Sequence, residues 1–241
     1  MSEFPWTEQQ WDTEMRQCVA AYWTARGGQA IKQAQAGVSD TGTRGEVTGG
    51  QHLDAFCELL VKVIASAGFK APYVRVRTGV ELPGYYRPCK KWDIVVAREG
   101  ALCAAIEMKS QVGPSFGNNF NNRTEEAVGS SADFWLAFRE GRLGPRSPWL
   151  GYFFFLEAAA GSTRPVGITS PAFPADPVFA DTSYAQRYEI LCRRMVLERN
   201  YSAATLVLSP RANTGDYTET AADLRFLDFA RGLYGHLIGC S

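Results

Sequence analysis

Residues 92–109 read Trp-Asp-Ile-Val-Val-Ala-Arg-Glu-Gly-Ala-Leu-Cys-Ala-Ala-Ile-Glu-Met-Lys. An apolar run opens with Asp93 and reaches a turn near Gly100; a second apolar run closes with Glu107 and Lys109. Successive side chains on a strand point to opposite faces, so Glu107 and Lys109 share a face and Met108 turns away. Paired as a hairpin, the runs return Asp93 to the neighbourhood of Glu107. Two carboxylates and an ammonium then converge at one end of a hydrophobic sheet. Register is the condition. A two-residue turn at Glu99-Gly100 sets Asp93 opposite Ile106 and aims the acids at opposite faces. A three-residue turn, Glu99-Gly100-Ala101, sets Asp93 opposite Glu107, with glycine in the left-handed position. The chemistry therefore predicts the odd-length loop.

Two clustered carboxylates repel each other and shift their proton affinities upward. A divalent cation removes that penalty, and hard oxygen ligands suit magnesium rather than zinc. A lysine beside them balances charge and steadies an attacking water. Metal, water and a nearby cation together are the equipment for phosphodiester hydrolysis. The plain alternative for a D-x(13)-E-x-K pattern is an ordinary hairpin with charged residues at its solvent-facing end.

With 241 residues, 46% of them hydrophobic, the chain can form one sizeable domain or a domain with an appended subdomain. Its 25 basic and 25 acidic residues balance, which excludes a cationic coat of the kind that packages nucleic acid. A DNA enzyme with its cations gathered on one face stays open. The N-terminus lacks the basic-then-apolar order of a secretory signal. The greasiest stretch, Trp149 to Leu156, is far too short to span a bilayer. The cysteines at 18, 57, 89, 103, 192 and 240 show no C-x-x-C and no regular spacing, which suits a reducing cytosol. Only His52 and His236 are present, so a histidine-rich metal site is excluded. No G-x-S-x-G marks a serine hydrolase.

Along the chain, Thr7 caps a helix expected to run to about Gly27, with Trp11, Met15, Cys18, Val19 and Tyr22 on one stripe. Glycine density from Gly27 to Gly50 predicts a loop. A second helix is expected over Gln51 to Ala67, burying Leu53, Phe56, Leu60, Val63, Ile64 and Ala67 and ended by Gly68. Tyr73 to Val80 alternates as a strand, and Pro83-Gly84 breaks the chain before the hairpin. The asparagine-rich segment from Ser110 to Arg123 reads as a long polar loop, with Thr124 capping the next helix and Glu125 and Glu126 at its positive end. Ala127, Phe134, Trp135 and Phe138 are candidates for that helix's inner side. Trp149 to Leu156 reads as a buried strand. Ser183 starts a helix to about Asn200, Ala204 to Ser209 is a strand, and Thr220 to about Leu237 a final helix. The order predicts an α/β fold, a central mixed sheet flanked by helices.

Four blocks carry a resemblance. They run from Arg44 to Phe56, from Leu82 to Val96, from Ala105 to Ala127 through Asn118-Asn119-Phe120-Asn121-Asn122-Arg123, and from Pro148 to Phe154. Over most of its length the chain resembles the XhoI family of type II restriction endonucleases. The resemblance implies the PD-(D/E)XK restriction-endonuclease-like core, a magnesium-dependent cut of double-stranded DNA, and a homodimer on the palindrome CTCGAG cutting after the first C. It implies one domain over 1–241, with a catalytic core over about 44–210 and helices at 7–27 and 219–238 as additions. A host keeping such an enzyme also needs a cognate DNA methyltransferase. Trp92 stands where the superfold's name places a proline.

On this reading Asp93 and Glu107 are metal ligands, with the carbonyl of Met108 a third, and Lys109 sits near the attacking water and the phosphate. Glu46 adds a carboxylate to the catalytic set, with Asp54 and Glu58 competing for that role. Gln111 orients the site or is a polar strand end. Ser115, Asn118, Asn119, Asn121, Asn122 and Arg123 are the first choice for DNA contact, since Asn pairs with adenine and Arg with guanine through two hydrogen bonds each. Their plain alternative is a turn whose asparagines satisfy their own backbone. Arg87, Lys90 and Lys91, with Arg75 and Arg77, are expected to grip flanking phosphates or to form a solvated strand edge. Arg193, Arg194 and Arg199 read as a solvated helix face, and His52 as a helix-face or core histidine. The competing functions are a repair or structure-specific nuclease, a DNA-binding module without catalysis, and, remotely, a two-carboxylate glycoside hydrolase.

Overall fold

The computed structural model describes residues 3–35, 51–212 and 214–240, with side chains described for 3–28, 52–212 and 214–240. Its main sheet comprises β1 (Val74–Val76), β4 (Ile94–Arg98), β5 (Ala101–Gln111), β6 (Trp149–Glu157) and β7 (Ala203–Ser209), in that spatial order. β1, β4 and β5 are antiparallel, and β5, β6 and β7 are parallel, so the expected mixed sheet is present. β2 (Glu81–Pro83) and β3 (Cys89–Lys91) form a separate small hairpin. Every residue of β6 is buried, which is why it reads as a continuous bulky run rather than an alternation.

Helices cover both faces. Phe153 and Phe155 of β6 point into a core shared with α1 (Glu8–Gln35), α2 (Asp54–Ser66) and α6 (Phe226–Ile238). Tyr152, Phe154 and Leu156 point the other way, towards α3 (Phe116–Arg139) and α5 (Tyr184–Leu197), with α4 (Ala160–Thr163) between them in sequence. The alternation along one strand thus divides the interior into two cores.

The hairpin that frames the site departs from its expected turn. Arg98 pairs with Ala101, so the turn has two residues, Glu99 and Gly100, both left-handed at φ 53° and 78°. Continued without change, that register would set Asp93 opposite Ile106. The ladder shifts between Val96 and Ala97, however: Ala97 pairs with Leu102 but Val96 with Ala104. Cys103 is the extra residue of a β-bulge, and Cys103 and Ala104 consequently enter the same core. Beyond it Ile94 pairs with Ile106, and Asp93 falls level with Glu107. The three-residue loop is corrected to a two-residue turn plus a bulge.

Three other expectations change. α1 continues past Gly27 to Gln35, through residues of mostly good helix propensity from Gln29 onward. The remainder of the expected Gly27–Gly50 loop, with Glu46, lies outside the described residues. The first strand stops at Val76, because Arg77 and Gly79 take left-handed φ values of 65° and 64°. Pro83 ends β2 and Gly84 opens the turn of the small β2–β3 hairpin, so the break falls within a hairpin rather than ahead of one.

The largest change is at residues 115–124. α3 starts at Phe116, so the asparagines lie on a helix and Thr124 is interior, its hydroxyl donating to the Phe120 carbonyl at 2.9 Å. Phe116 and Phe120, four apart, pack on Tyr184 and Tyr188 of α5. That tertiary contact outweighs the poor helix propensity of Asn. At the C-terminus the expected single helix is a short 3-10 turn, Ala222–Leu224, then α6, separated by Arg225 in an extended conformation. Ser183 caps α5 through a capping box with Gln186, and α2 buries the expected face.

Candidate active site

The site lies where β4 begins and β5 nears its end, on the α3–α5 side of the sheet. The Asp93 amide donates to the Ile106 carbonyl at 3.1 Å, and its Oδ2 accepts the Met108 amide at 2.7 Å. Loss of water pushes the Asp93 carboxyl above its usual value, only partly opposed by the Met108 amide and Lys109. Glu107 is 2% exposed, and its Oε1 accepts from Lys90 Nζ at 2.9 Å and Lys109 Nζ at 3.3 Å. Its Oε2 lies 3.2 Å from the Tyr201 hydroxyl, which is also 3.1 Å from the Ala127 carbonyl. Burial pushes the Glu107 carboxyl up, but Lys90 and Lys109 outweigh it and hold the group below its usual value. The charges of Asp93 and Glu107 reach each other. Lys109 Nζ is also 3.9 Å from Glu126 Oε2 on α3.

Of the cations expected to grip phosphate, Lys90 is redirected. It is 12% exposed, lies 4.4 Å over the Trp92 ring, and points at Glu107 rather than at solvent. Lys91 next to it is exposed. Arg87 binds Asp133 of α3 at 2.8 Å, and Arg77 pairs with Asp54. Arg193 pairs with Glu189 and Asp223, and Arg194 with Asp176, as a solvated helix face should. His52 is a core histidine: its Nε2 lies 2.9 Å from Ser110 Oγ, and burial pushes its pKa down to about 4.

The helical start of α3 sorts the asparagine block. Asn118, Asn121 and Asn122 are exposed and, by their spacing, share one helix face. Ser115 is exposed at the N-terminal end of the helix, and Asn119 is half-buried. Arg123 binds Glu126, which links it to Lys109. Gln111 points back into the protein: its amide donates to the Phe116 carbonyl at 3.1 Å and its oxygen accepts from the Tyr188 hydroxyl. It anchors the entry to α3 rather than the catalytic cluster.

A family model described as "Restriction endonuclease XhoI" matches residues 32–219, a span that contains the whole cluster. The chain belongs to this family. Type II restriction enzyme BstVI of Geobacillus stearothermophilus is 44% identical over 211 residues, 84% of this chain and 94% of that enzyme. Type II restriction enzyme XhoI of Xanthomonas vasicola is 41% identical over 192 residues, 78% and 77% of the two chains. Type II restriction enzyme AbrI of Azospirillum brasilense is 43% identical over 166 residues, 68% and 74%. No solved structure matches the chain.

As a member of the XhoI restriction endonuclease family the protein is a site-specific deoxyribonuclease, an enzyme of a class that acts on double-stranded DNA and generally uses divalent metal ions. The cluster suits such an ion. Asp93 and Glu107 offer carboxylate oxygens, and the Met108 carbonyl faces the same side of β5 as the amide that Asp93 binds. Among the described residues no group of three His, Cys, Asp or Glu side chains gathers as a metal cage; Asp54 is paired with Arg77, and Glu46 lies outside those residues. Two carboxylates completed by substrate phosphate and water are how a small hard cation is commonly held. Tyr201 and Glu126 escaped sequence reading. Tyr201 lies far along the chain from Glu107 with no periodicity to mark it, and Glu126 reads as an ordinary helix acid. Among the described residues no helix is long and apolar enough to cross a membrane.

Proposed function

We propose that this XhoI-family enzyme hydrolyses duplex DNA at CTCGAG, cutting after the first C of each strand and leaving a 5′-phosphate and a 3′-hydroxyl. The observation that carries the chemistry is the convergence of Asp93, Glu107 and Lys109 at one end of the β4–β5 ladder. The specificity rests on the quoted sequence blocks and on relatives named as type II restriction enzymes.

Magnesium held by Asp93, Glu107 and the Met108 carbonyl would supply Lewis acidity at the scissile phosphate and a more acidic bound water. Lys109 Nζ orients the attacking water and offsets charge growing on the phosphate. Tyr201 fixes the Glu107 carboxylate. Lys90 steadies the Glu107 carboxylate, Lys91 and Arg123 face the phosphates on either side, and Ser115, Asn118, Asn119, Asn121 and Asn122 at the start of α3 contact DNA. Arg87 acts through its hold on Asp133. A palindromic site suits a homodimer whose twofold axis coincides with that of the DNA. A cognate methyltransferase protecting host sites accompanies it. Six free thiols support a cytoplasmic location. The chain works as one domain, since α1 and α6 at its ends share a core with β5 and β6.

Digesting plasmid DNA with magnesium and mapping the product ends tests this reading. Discrete cuts that disappear when CTCGAG is altered are expected. Cutting indifferent to that sequence would remove the specificity, and cutting unaffected by a chelator would remove the metal.

A further inference from the structure

The turn of the β2–β3 hairpin carries two tyrosines into solvent, Tyr85 at 44% and Tyr86 at 73% exposure, their rings edge to face with centroids 5.0 Å apart. Such a tip would ordinarily be loose. This one is held by Asp133, a buried carboxylate on α3 that accepts the Tyr85 amide at 2.8 Å, the Tyr86 amide at 2.7 Å and Arg87 Nε at 2.8 Å. Arg142 donates to the Gly84 carbonyl at 2.9 Å. Gly84 sits so close that an added Cβ would lie 2.6 Å from Asp133 Oδ2 and 2.7 Å from the Arg87 carbonyl. A buried charge satisfied by three donors from one exposed turn fixes that turn's backbone, leaving the rings as what it presents.

The tip is also near the catalytic cluster. Leu82 of the same hairpin pairs with Lys90, whose Nζ binds Glu107. Tyr85 and Tyr86 follow Leu82 by three and four residues, at most about 10–13 Å even for a fully extended chain, within the span of a few base pairs of a bound duplex. Arg87, next in the same turn and still exposed, sets a cation beside the rings, a setting that favours a polyanion over an apolar protein partner.

Resting on the DNA reading above, we propose that Tyr86, buttressed by Tyr85, is a specificity-determining contact whose ring packs against a base step of the bound duplex. An aromatic or apolar side chain at a base step is sensitive to how easily that step unstacks, and a preordered tip binds without the cost of ordering.

The test measures binding of a fluorescent duplex bearing the mapped site, and of one with a single altered base pair, with calcium replacing magnesium. Tyr86→Ala is expected to weaken binding to the intact site about tenfold, the scale of an aromatic–base contact, and to narrow the ratio between the two duplexes. Tyr86→Phe should behave as wild type, and Tyr85→Ala should fall between. The exposed position lets all three variants fold, which thermal melting verifies. Tyr86→Ala matching wild type in affinity and ratio overturns the proposal. So does Tyr86→Phe losing as much as Tyr86→Ala, which would make the hydroxyl the contact. A loss that tracks a change in oligomer mass by sedimentation would place the tip at a protein interface and overturn it too. Wild-type protein that binds neither duplex would instead remove the DNA reading itself.

Discussion

Lys90 Nζ lies 2.9 Å from Glu107 Oε1, the same oxygen that Lys109 approaches to 3.3 Å. Two lysines therefore sit on this buried carboxylate, and on the metal role proposed for Glu107 a divalent cation competes with Lys90 for it. Lys90→Met keeps the apolar stem over Trp92 and removes the competitor. Without DNA, it should bind manganese about tenfold more tightly than wild type, the scale of one charge-assisted hydrogen bond. Isothermal titration calorimetry reads this directly, and equal or weaker binding by the variant would refute the competition.

Lys109→Ala should lose about a thousandfold or more in cleavage rate while melting near the wild-type temperature, because Lys90 remains to pair Glu107. Asp93→Asn should lose activity similarly, with its amide oxygen still available to the Met108 amide. Single-turnover cleavage of a duplex containing the site checks both, and a near-wild-type rate in either would cancel that residue's assignment.

Tyr201→Phe removes a hydroxyl from a carboxylate that is otherwise buried. A lost hydrogen bond to a buried charge destabilises by about 2 kcal/mol. The variant should unfold at lower urea concentration and cleave more slowly through a less constrained Glu107. Lower stability with an unchanged rate would mean the hydroxyl serves the Ala127 carbonyl rather than Glu107.

His52 titrates near pH 4 in the folded protein because burial opposes its charge, whereas an unfolded histidine titrates near 6.5. Between these values the unfolded chain binds more protons, so stability is full above about pH 6.5 and falls as pH drops towards 4. The loss amounts to up to about 3 kcal/mol. Urea midpoints across that window should show the slope, and His52→Gln should flatten it. A slope unchanged by the substitution would assign it to other groups.

The clustering of Glu107 and Lys109 is legible because strand alternation places them on one face whatever surrounds them. The return of Asp93 was legible only as a condition. The sequence offers an even or an odd turn, and the protein uses the even one with a bulge at Cys103, a device that leaves no mark in a run of small apolar residues. The start of α3 is hidden in the sequence for a different reason. Asparagine and glycine disfavour helix locally, and Phe116 and Phe120 override them only because Tyr184 and Tyr188 wait on α5. Lys90 was recognised as a cation near the site but not as a partner of Glu107, since its direction depends on how a separate small hairpin lies against the main sheet.

By itself the sequence determined the α/β class, the buried β6, the periodic faces of α2 and α5, and the family to which the chain belongs. These follow from side-chain period and residue type, which are local properties. Only the tertiary structure decided that Tyr201 holds Glu107, that Lys90 pairs with that same carboxylate, and that Asp133 fixes an aromatic tip on the neighbouring hairpin. Each joins residues distant in the chain, and a contact of that kind is set by how packed layers come together rather than by any pattern along the strand.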